Sequence, residues 1–260
     1  GGHGYLYSAG FHEMYKYASV SITGEGENTV MLLQTARFLM KAFEKAKNGE
    51  RLTVGVAYLR EFLNCNDKRI LFDDSIRGIL RAVQMTAAGK IASTWKQIQE
   101  RQRTMSMEEA SNQEGLALAR ASTLHAHVFL LETAIYELEL ASKKSSPSLA
   151  EVFKNVLELY AVDLALSLIG DIMQFVDISN NDIEKLQERF DTSLKFFRTS
   201  AIGIVDGFDF SDEVLMSTLG SNDGNVYENL LAAAKKSPLN QEDVNKSYHL
   251  YLKPFMKSNL

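Results

Sequence analysis

Apolar residues recur at three- and four-residue spacing along most of this chain, and no stretch shows sustained two-residue alternation, so the pattern predicts helices and no sheet. Residues 1–28, rich in Gly, Ser and Tyr, read as a loop, a short helix and a second loop. The first clear helical run begins near Thr29, with Val30, Leu33, Met40 and Phe43 in register, and Asn48-Gly49 closes it. Residues 49–72 read as a connector holding one short helix. Long helices follow. One runs from about Asp73 to Arg103. The next opens on Ser106-Met107-Glu108-Glu109, an S-x-x-E capping box, and runs to about Ser142. After a break at Lys143 to Pro147, Ser148-Leu149-Ala150-Glu151 reads as a second capping box whose helix ends near Asp177. Ser179-Asn180-Asn181-Asp182 starts another helix, to about Ile204, and shorter helices are expected near 211–219, 224–236 and 241–256. Leu157, Tyr160, Leu164 and Leu168 make one apolar stripe, read as the core of a helical bundle.

The chain has 260 residues, 45% of them apolar and 23% charged, which is ordinary for a globular protein. Its three prolines suit long helices. A net charge of -5 gives no electrostatic footprint for nucleic acid. The basic run from Lys96 to Arg103 alternates with Gln and Ile and reads as a solvated helix face. Cys65 is the only cysteine, which excludes an intrachain disulfide, suits a reducing setting and has no His or Asp pattern beside it. No apolar run is long enough to span a bilayer. His125 and His127 stand two apart on a predicted helix and so point apart, which excludes shared metal ligation; no metal site is expected. His3, inside the opening glycine loop, suits either a cofactor contact or a structural hydrogen bond.

The stretch that bears chemistry is Thr23-Gly24-Glu25-Gly26-Glu27-Asn28-Thr29. Glu27 and Asn28 suit a helix start, where acceptors meet unpaired N–H groups. That reading leaves Glu25 unexplained. Its flanking glycines allow close approach of a ligand to the backbone and leave the carboxylate free to enter a cleft.

Gly1-Gly2-His3-Gly4-Tyr5, Glu25-Gly26-Glu27-Asn28-Thr29-Val30 and Leu33-Gln34-Thr35-Ala36-Arg37 resemble the peroxisomal acyl-CoA oxidases, of the acyl-CoA dehydrogenase and oxidase superfamily. Toward the other end, Val205-Asp206-Gly207-Phe208-Asp209-Phe210, Asp223-Gly224-Asn225-Val226-Tyr227-Glu228-Asn229-Leu230 and Lys236-Ser237-Pro238-Leu239-Asn240 resemble the family's last helical segments. The resemblance implies an all-α fold in which residues 1–64 end the first C-terminal helical domain and carry the active-site loop. Residues 65–260 would form the second C-terminal helical bundle. It implies FAD-dependent oxidation of fatty acyl-CoA by O2 to trans-2-enoyl-CoA and hydrogen peroxide, in peroxisomal fatty acid β-oxidation. Glu25 stands where the family keeps its proton-abstracting carboxylate, with a pKa expected to rise when the acyl chain excludes water. Gly24 and Glu25 would lie against the substrate, Glu27 would contact flavin, and Gly1 and Gly2 would lie against the FAD of a neighbouring subunit. A homodimer, or a heterodimer with related subunits, follows. Gly24 stands where relatives usually carry an aromatic residue, which implies a wider acyl tunnel or a different hold on the base.

The glycine motif at residue 1 reads as a cut. The family's N-terminal helical domain and β-domain have no counterpart here, so the chain alone is expected to bind FAD poorly and turn over nothing. Ser258-Asn259-Leu260 reads as a weak variant of a peroxisomal address. Two rival readings are an acyl-CoA dehydrogenase that passes electrons to a protein, and a truncated helical module that dimerises with or regulates full-length subunits.

Overall fold

The structure, a computed structural model, describes residues 1–65 and 69–257. The Asn64 to Arg69 boundary stretch falls partly outside the described residues, and Ser258-Asn259-Leu260 falls wholly outside them. In chain order the helices are α1 (Phe11–Thr23), α2 (Asn28–Lys47), α3 (Tyr58–Asn64), α4 (Ile76–Arg101), α5 (Met107–Gln113) and α6 (Gly115–Lys144). They continue with α7 (Pro147–Ser167), α8 (Ile169–Ile172), α9 (Asn180–Asp206), α10 (Asp212–Leu215), α11 (Val226–Lys236) and α12 (Lys253–Lys257). Two strands of two residues each, β1 (Ile70–Leu71) and β2 (Val176–Asp177), pair in parallel. They are too short to leave an alternation in the sequence, and they serve to satisfy the backbone of two connectors. The fold is all-α.

The chain divides into two compact units, Gly26–Ile202 and Gly1–Glu25 with Gly203–Leu260. In the larger, α4 packs along α6, α7, α3 and α2, and α6 also packs on α2 and α7. The reason lies in the residues of α4: Ala82, Ala87, Ala88 and Gly89 are all buried and small, so neighbouring helices approach its backbone closely. Its buried hydroxyls cost little, because Thr86 Oγ1 and Thr94 Oγ1 donate to the carbonyls of Ala82 and Lys90, each at 2.8 Å. Leu39, Leu59, Ile79, Ile91, Leu124, Leu131, Ile172 and Leu186 are wholly buried and form the centre of the core. Of the stripe read from sequence, Leu157, Leu164 and Leu168 are in that core and Tyr160 packs against it.

Polar pairs tie the same helices together. Glu158 on α7 takes both hydrogen bonds of an Arg189 fork at 2.6 and 3.0 Å. Asp171 holds Arg120 and, at 2.9 Å, Lys90. The Tyr58 phenol and His125 Nδ1 share a 2.9 Å hydrogen bond that joins α3 to α6. Burial pushes the phenol up, helped by Glu132, and pushes the imidazole down, so both stay neutral at physiological pH.

Helix ends follow local chemistry, with three differences from the sequence reading. Ser106 and Glu109 do form a capping box, but the helix stops at Gln113 and a new one starts at Gly115. Between them Glu114 leaves helical geometry, at φ -96 and ψ 15, and its carboxylate meets Arg101 of α4. At α7 the N-cap is Ser146, with Pro147 in the first turn, and Ser148 lies inside the helix. Proline has no N–H to lose at that position, so the boundary moves ahead of Ser148. The helix expected to end near Asp177 ends at Ser167: Leu168 leaves helical geometry and separates α7 from α8, and Asp177 lies in β2.

The smaller unit is held by polar links more than by a core. Ser217 Oγ donates to the Ala9 carbonyl at 2.7 Å, and the Thr218 N–H and hydroxyl both reach the Ser8 carbonyl, at 2.9 and 3.0 Å. The Asp223 carboxylate accepts from the Asn225 N–H and the Asn229 side chain, each at 3.0 Å, and so builds the start of α11. Residues 241–245, expected to be helical, contain no helix; helical backbone starts at Lys246 and runs through a π-helical turn, Tyr248–Leu252, into α12.

Candidate active site

The turn between α1 and α2 consists of Gly24, Glu25, Gly26 and Glu27. Gly24 ends α1: its N–H donates to the Val20 carbonyl at 2.7 Å, and its backbone is extended at φ -65 and ψ 131. A Cβ added there would stand 2.8 Å from that same carbonyl oxygen. The absence of an aromatic residue before Glu25 therefore has a local steric reason in this backbone.

Glu25 follows with φ 61, in the left-handed region that glycine favours. For an L residue with a long side chain this conformation costs on the order of 1–2 kcal/mol. The residue is exposed. Among the described residues nothing pairs with its carboxylate, and its N–H donates to no carbonyl. A proton acceptor and a hydrogen-bond donor thus stand at one residue, neither used by the fold.

Gly26 comes next at φ 126, and a Cβ there would lie 2.8 Å from Met31 Sδ. In sequence it is only a neighbour of Glu25; the structure makes it the residue that turns the chain into α2. Gly26→Ala is expected to lower stability by about 1–3 kcal/mol through backbone strain. Urea denaturation monitored by circular dichroism measures this, and an unchanged midpoint contradicts the strained turn.

Glu27 is the N-cap of α2, as read from sequence: its Oε2 accepts from the Val30 N–H at 3.0 Å. The backbone N–H groups of Thr29 and Val30 hold its carboxyl below the ordinary glutamate range. Asn28 is the first helical residue. Glu27 is therefore a fixed anion at the head of a 20-residue helix.

Gly1 and Gly2 are exposed at the start of a 3-10 turn, Gly2–Tyr5, and a Cβ added to either meets nothing within 4 Å. The chain's own packing does not require glycine there. His3 stacks edge-on against Tyr227 at 5.7 Å between ring centroids. Gly1, Gly2, Gly24 and Glu25 belong to the smaller unit and Glu27 to the larger. His125 is engaged with Tyr58, and His127 Nδ1 is buried without a hydrogen-bond partner among the described residues. No cluster of three or more metal-ligating side chains occurs among the described residues, and none of their helices is long and apolar enough to cross a membrane.

Against known families, residues 75–257 match the one described as Acyl-CoA oxidase, and residues 1–40 match Acyl-CoA oxidase, C-alpha1 domain. The chain belongs to the acyl-CoA oxidase family. Within it, acyl-coenzyme A oxidase 1 of Drosophila melanogaster is 47% identical over the whole chain. Peroxisomal acyl-coenzyme A oxidase 1 of Rattus norvegicus is 35% identical over 98% of the chain. The chain spans 39% of the length of each of these two relatives. Among solved structures, acyl-CoA oxidase-1 of Caenorhabditis elegans, complexed with FAD and ATP, superposes with a TM-score of 0.90 at 30% identity. That similarity covers 99% of this chain and 39% of the nematode chain. Acyl-CoA oxidase-2 of the same organism, bound with FAD, ascaroside-CoA and ATP, gives the same TM-score at 32% identity, over 100% of this chain and 38% of that one. The acyl-CoA oxidase helical architecture thus extends over essentially the whole of this chain.

Proposed function

We propose that this chain works as the C-terminal portion of an FAD-dependent acyl-CoA oxidase in which Glu25 removes the α-proton of a fatty acyl-CoA. The net reaction takes acyl-CoA and O2 to trans-2-enoyl-CoA and hydrogen peroxide. Two C–H bonds break, a C=C bond forms, and O2 gains two electrons and two protons. The observation that carries this reading is the left-handed Glu25, with its carboxylate and N–H both left unused by the fold. The carboxylate takes the proton. The N–H of the same residue donates to the thioester carbonyl, where negative charge develops as the proton leaves, and so makes the α-carbon more acidic. Closure of the acyl chain over the site excludes water and makes the carboxylate a stronger base. Bound FAD supplies the acceptor for the β-hydride.

Glu27, held as the cap of α2, would contact the flavin. Gly1 and Gly2 would lie against the FAD of a neighbouring subunit, and a dimer would follow from that arrangement. The FAD in both nematode structures and the ascaroside-CoA in one support the cofactor and the thioester class of substrate. The names of relatives such as the rat enzyme support a peroxisomal setting. The family matches at 1–40 and 75–257 support a domain join between them, which we place at residues 64 and 65.

The complete oxidase containing this chain, given a saturated fatty acyl-CoA, is expected to release peroxide and enoyl-CoA in equimolar amounts. Peroxide is read by a coupled peroxidase and enoyl-CoA by chromatography. Enoyl-CoA without peroxide, in the presence of an electron-accepting protein, would show a dehydrogenase instead.

A further inference from the structure

The turn that carries Glu25 rests on one side chain. A Cβ at Gly26 would lie 2.8 Å from Met31 Sδ and 3.1 Å from Met31 Cγ, so the thioether sits directly against the Gly26 backbone. Apart from the residues on either side in the chain, no other side chain lies within 4 Å of that Cβ position among the described residues. Both backbone groups of Met31 are engaged in α2: its N–H donates to the Glu27 carbonyl at 3.0 Å, and its carbonyl accepts from Thr35 Oγ1 at 3.1 Å. Only the side chain is free to move, and it is 49% exposed.

What Met31 holds is strained. Gly26, at φ 126, has no side chain of its own to fix the turn, and Glu25 before it stands at φ 61. An L residue stays in the left-handed region only while its surroundings hold it there. Packing alone accounts for an apolar side chain at position 31, and leucine fills the same space. Methionine adds a thioether that peroxide oxidises. That sulfur lies one residue along the turn from the base whose reaction ends in the release of hydrogen peroxide.

We propose that Met31 is an oxidation site through which the oxidase is slowed by its own product, a step that rests on the acyl-CoA oxidase reading for the source of the peroxide and the use of Glu25. The Met31 sulfur attacks one oxygen of hydrogen peroxide. The O–O bond breaks, an S–O bond forms, and the proton of the transferred oxygen leaves with the hydroxide as water. Sulfur gives up two electrons and peroxide takes them. The sulfoxide is polar and seeks water, so the side chain swings out from Gly26. The turn loses its packing partner on that face, Glu25 relaxes out of the left-handed region, and its carboxylate leaves the position in which it takes the α-proton.

In the test, the complete oxidase containing this chain is treated with graded hydrogen peroxide, which is removed before acyl-CoA is added. Peptide mass spectrometry reads the sulfoxide at each methionine. Turnover is expected to fall in step with the sulfoxide at Met31 and to return on treatment with methionine sulfoxide reductase. Met31→Leu is expected to lose its own starting activity at least about tenfold more slowly than the parent. A second measurement does not depend on turnover. A glutamate-specific protease is expected to cut after Glu25 faster once the parent is oxidised, and at an unchanged rate in peroxide-treated Met31→Leu, since cutting follows local opening. Turnover that falls while Met31 stays reduced, a Met31→Leu variant inactivated at the parent's rate, or cutting at Glu25 that oxidation does not change overturns the proposal. A complete oxidase that releases no peroxide from acyl-CoA overturns the oxidase reading and with it the source of the oxidant, while the cutting rate separately decides whether the sulfoxide releases the turn.

Discussion

Glu25→Gln is expected to cut turnover of the complete oxidase by about 10²–10⁴-fold, the range a positioned general base contributes. Glutamine has nearly the shape of glutamate, the same N–H and the same backbone cost at φ 61. Only the proton acceptor is lost. Binding of acyl-CoA is therefore expected to stay within about threefold of the parent, less than 1 kcal/mol. Rapid mixing with acyl-CoA reads flavin reduction directly, and equilibrium titration reads binding. A second signature is loss of exchange of the α-proton with deuterated solvent, which needs the base but not the later steps. Turnover at the parent's rate with substrate bound removes Glu25 from the chemistry. Loss of binding together with turnover makes it a positioning residue instead.

Leu124→Ala is expected to cost about 2–5 kcal/mol of stability, the range for a wholly buried leucine whose cavity cannot collapse. Leu124 is 0% exposed on α6, the helix that packs against both α4 and α2. Small residues on α4 already bring these helices close, so little side-chain volume remains nearby to move into the gap. The residue after it, His125, is tied to Tyr58, which resists a shift of α6 as a whole. The denaturation midpoint in urea is the readout, with an unchanged slope showing that the same surface unfolds. A loss below about 1 kcal/mol places Leu124 at a yielding edge and not in a packed centre.

The helices were readable because their ends carry chemistry that acts within one turn. Ser106 with Glu109, Ser179 with Asp182, and Asn48 with Gly49 each satisfy or terminate a helix without distant help. What the sequence hid depends on partners far along the chain. The stop at Glu114 accompanies an ion pair to Arg101 on another helix, and no local pattern reports it. At Ser146 and Ser148 the local rules competed, and proline in the first turn marked the true start. The candidate site divides the same way. Glu27 as a cap was legible from residue type and position. The left-handed backbone of Glu25 was not, because glutamate is a poor signal for that conformation. Ile70 and Val176 meet across the β1–β2 pair although more than a hundred residues separate them, and no local pattern announces that pairing.

A chain optimised for folding alone would place glycine, or at least asparagine, at position 25. Glutamate there is a burden that every folded copy bears. Random mutagenesis scored by thermal robustness should therefore enrich replacements at this one position of the turn, while a screen for growth on fatty acids should discard the same replacements. Opposed outcomes of the two selections at a single codon are what a residue kept for chemistry leaves behind.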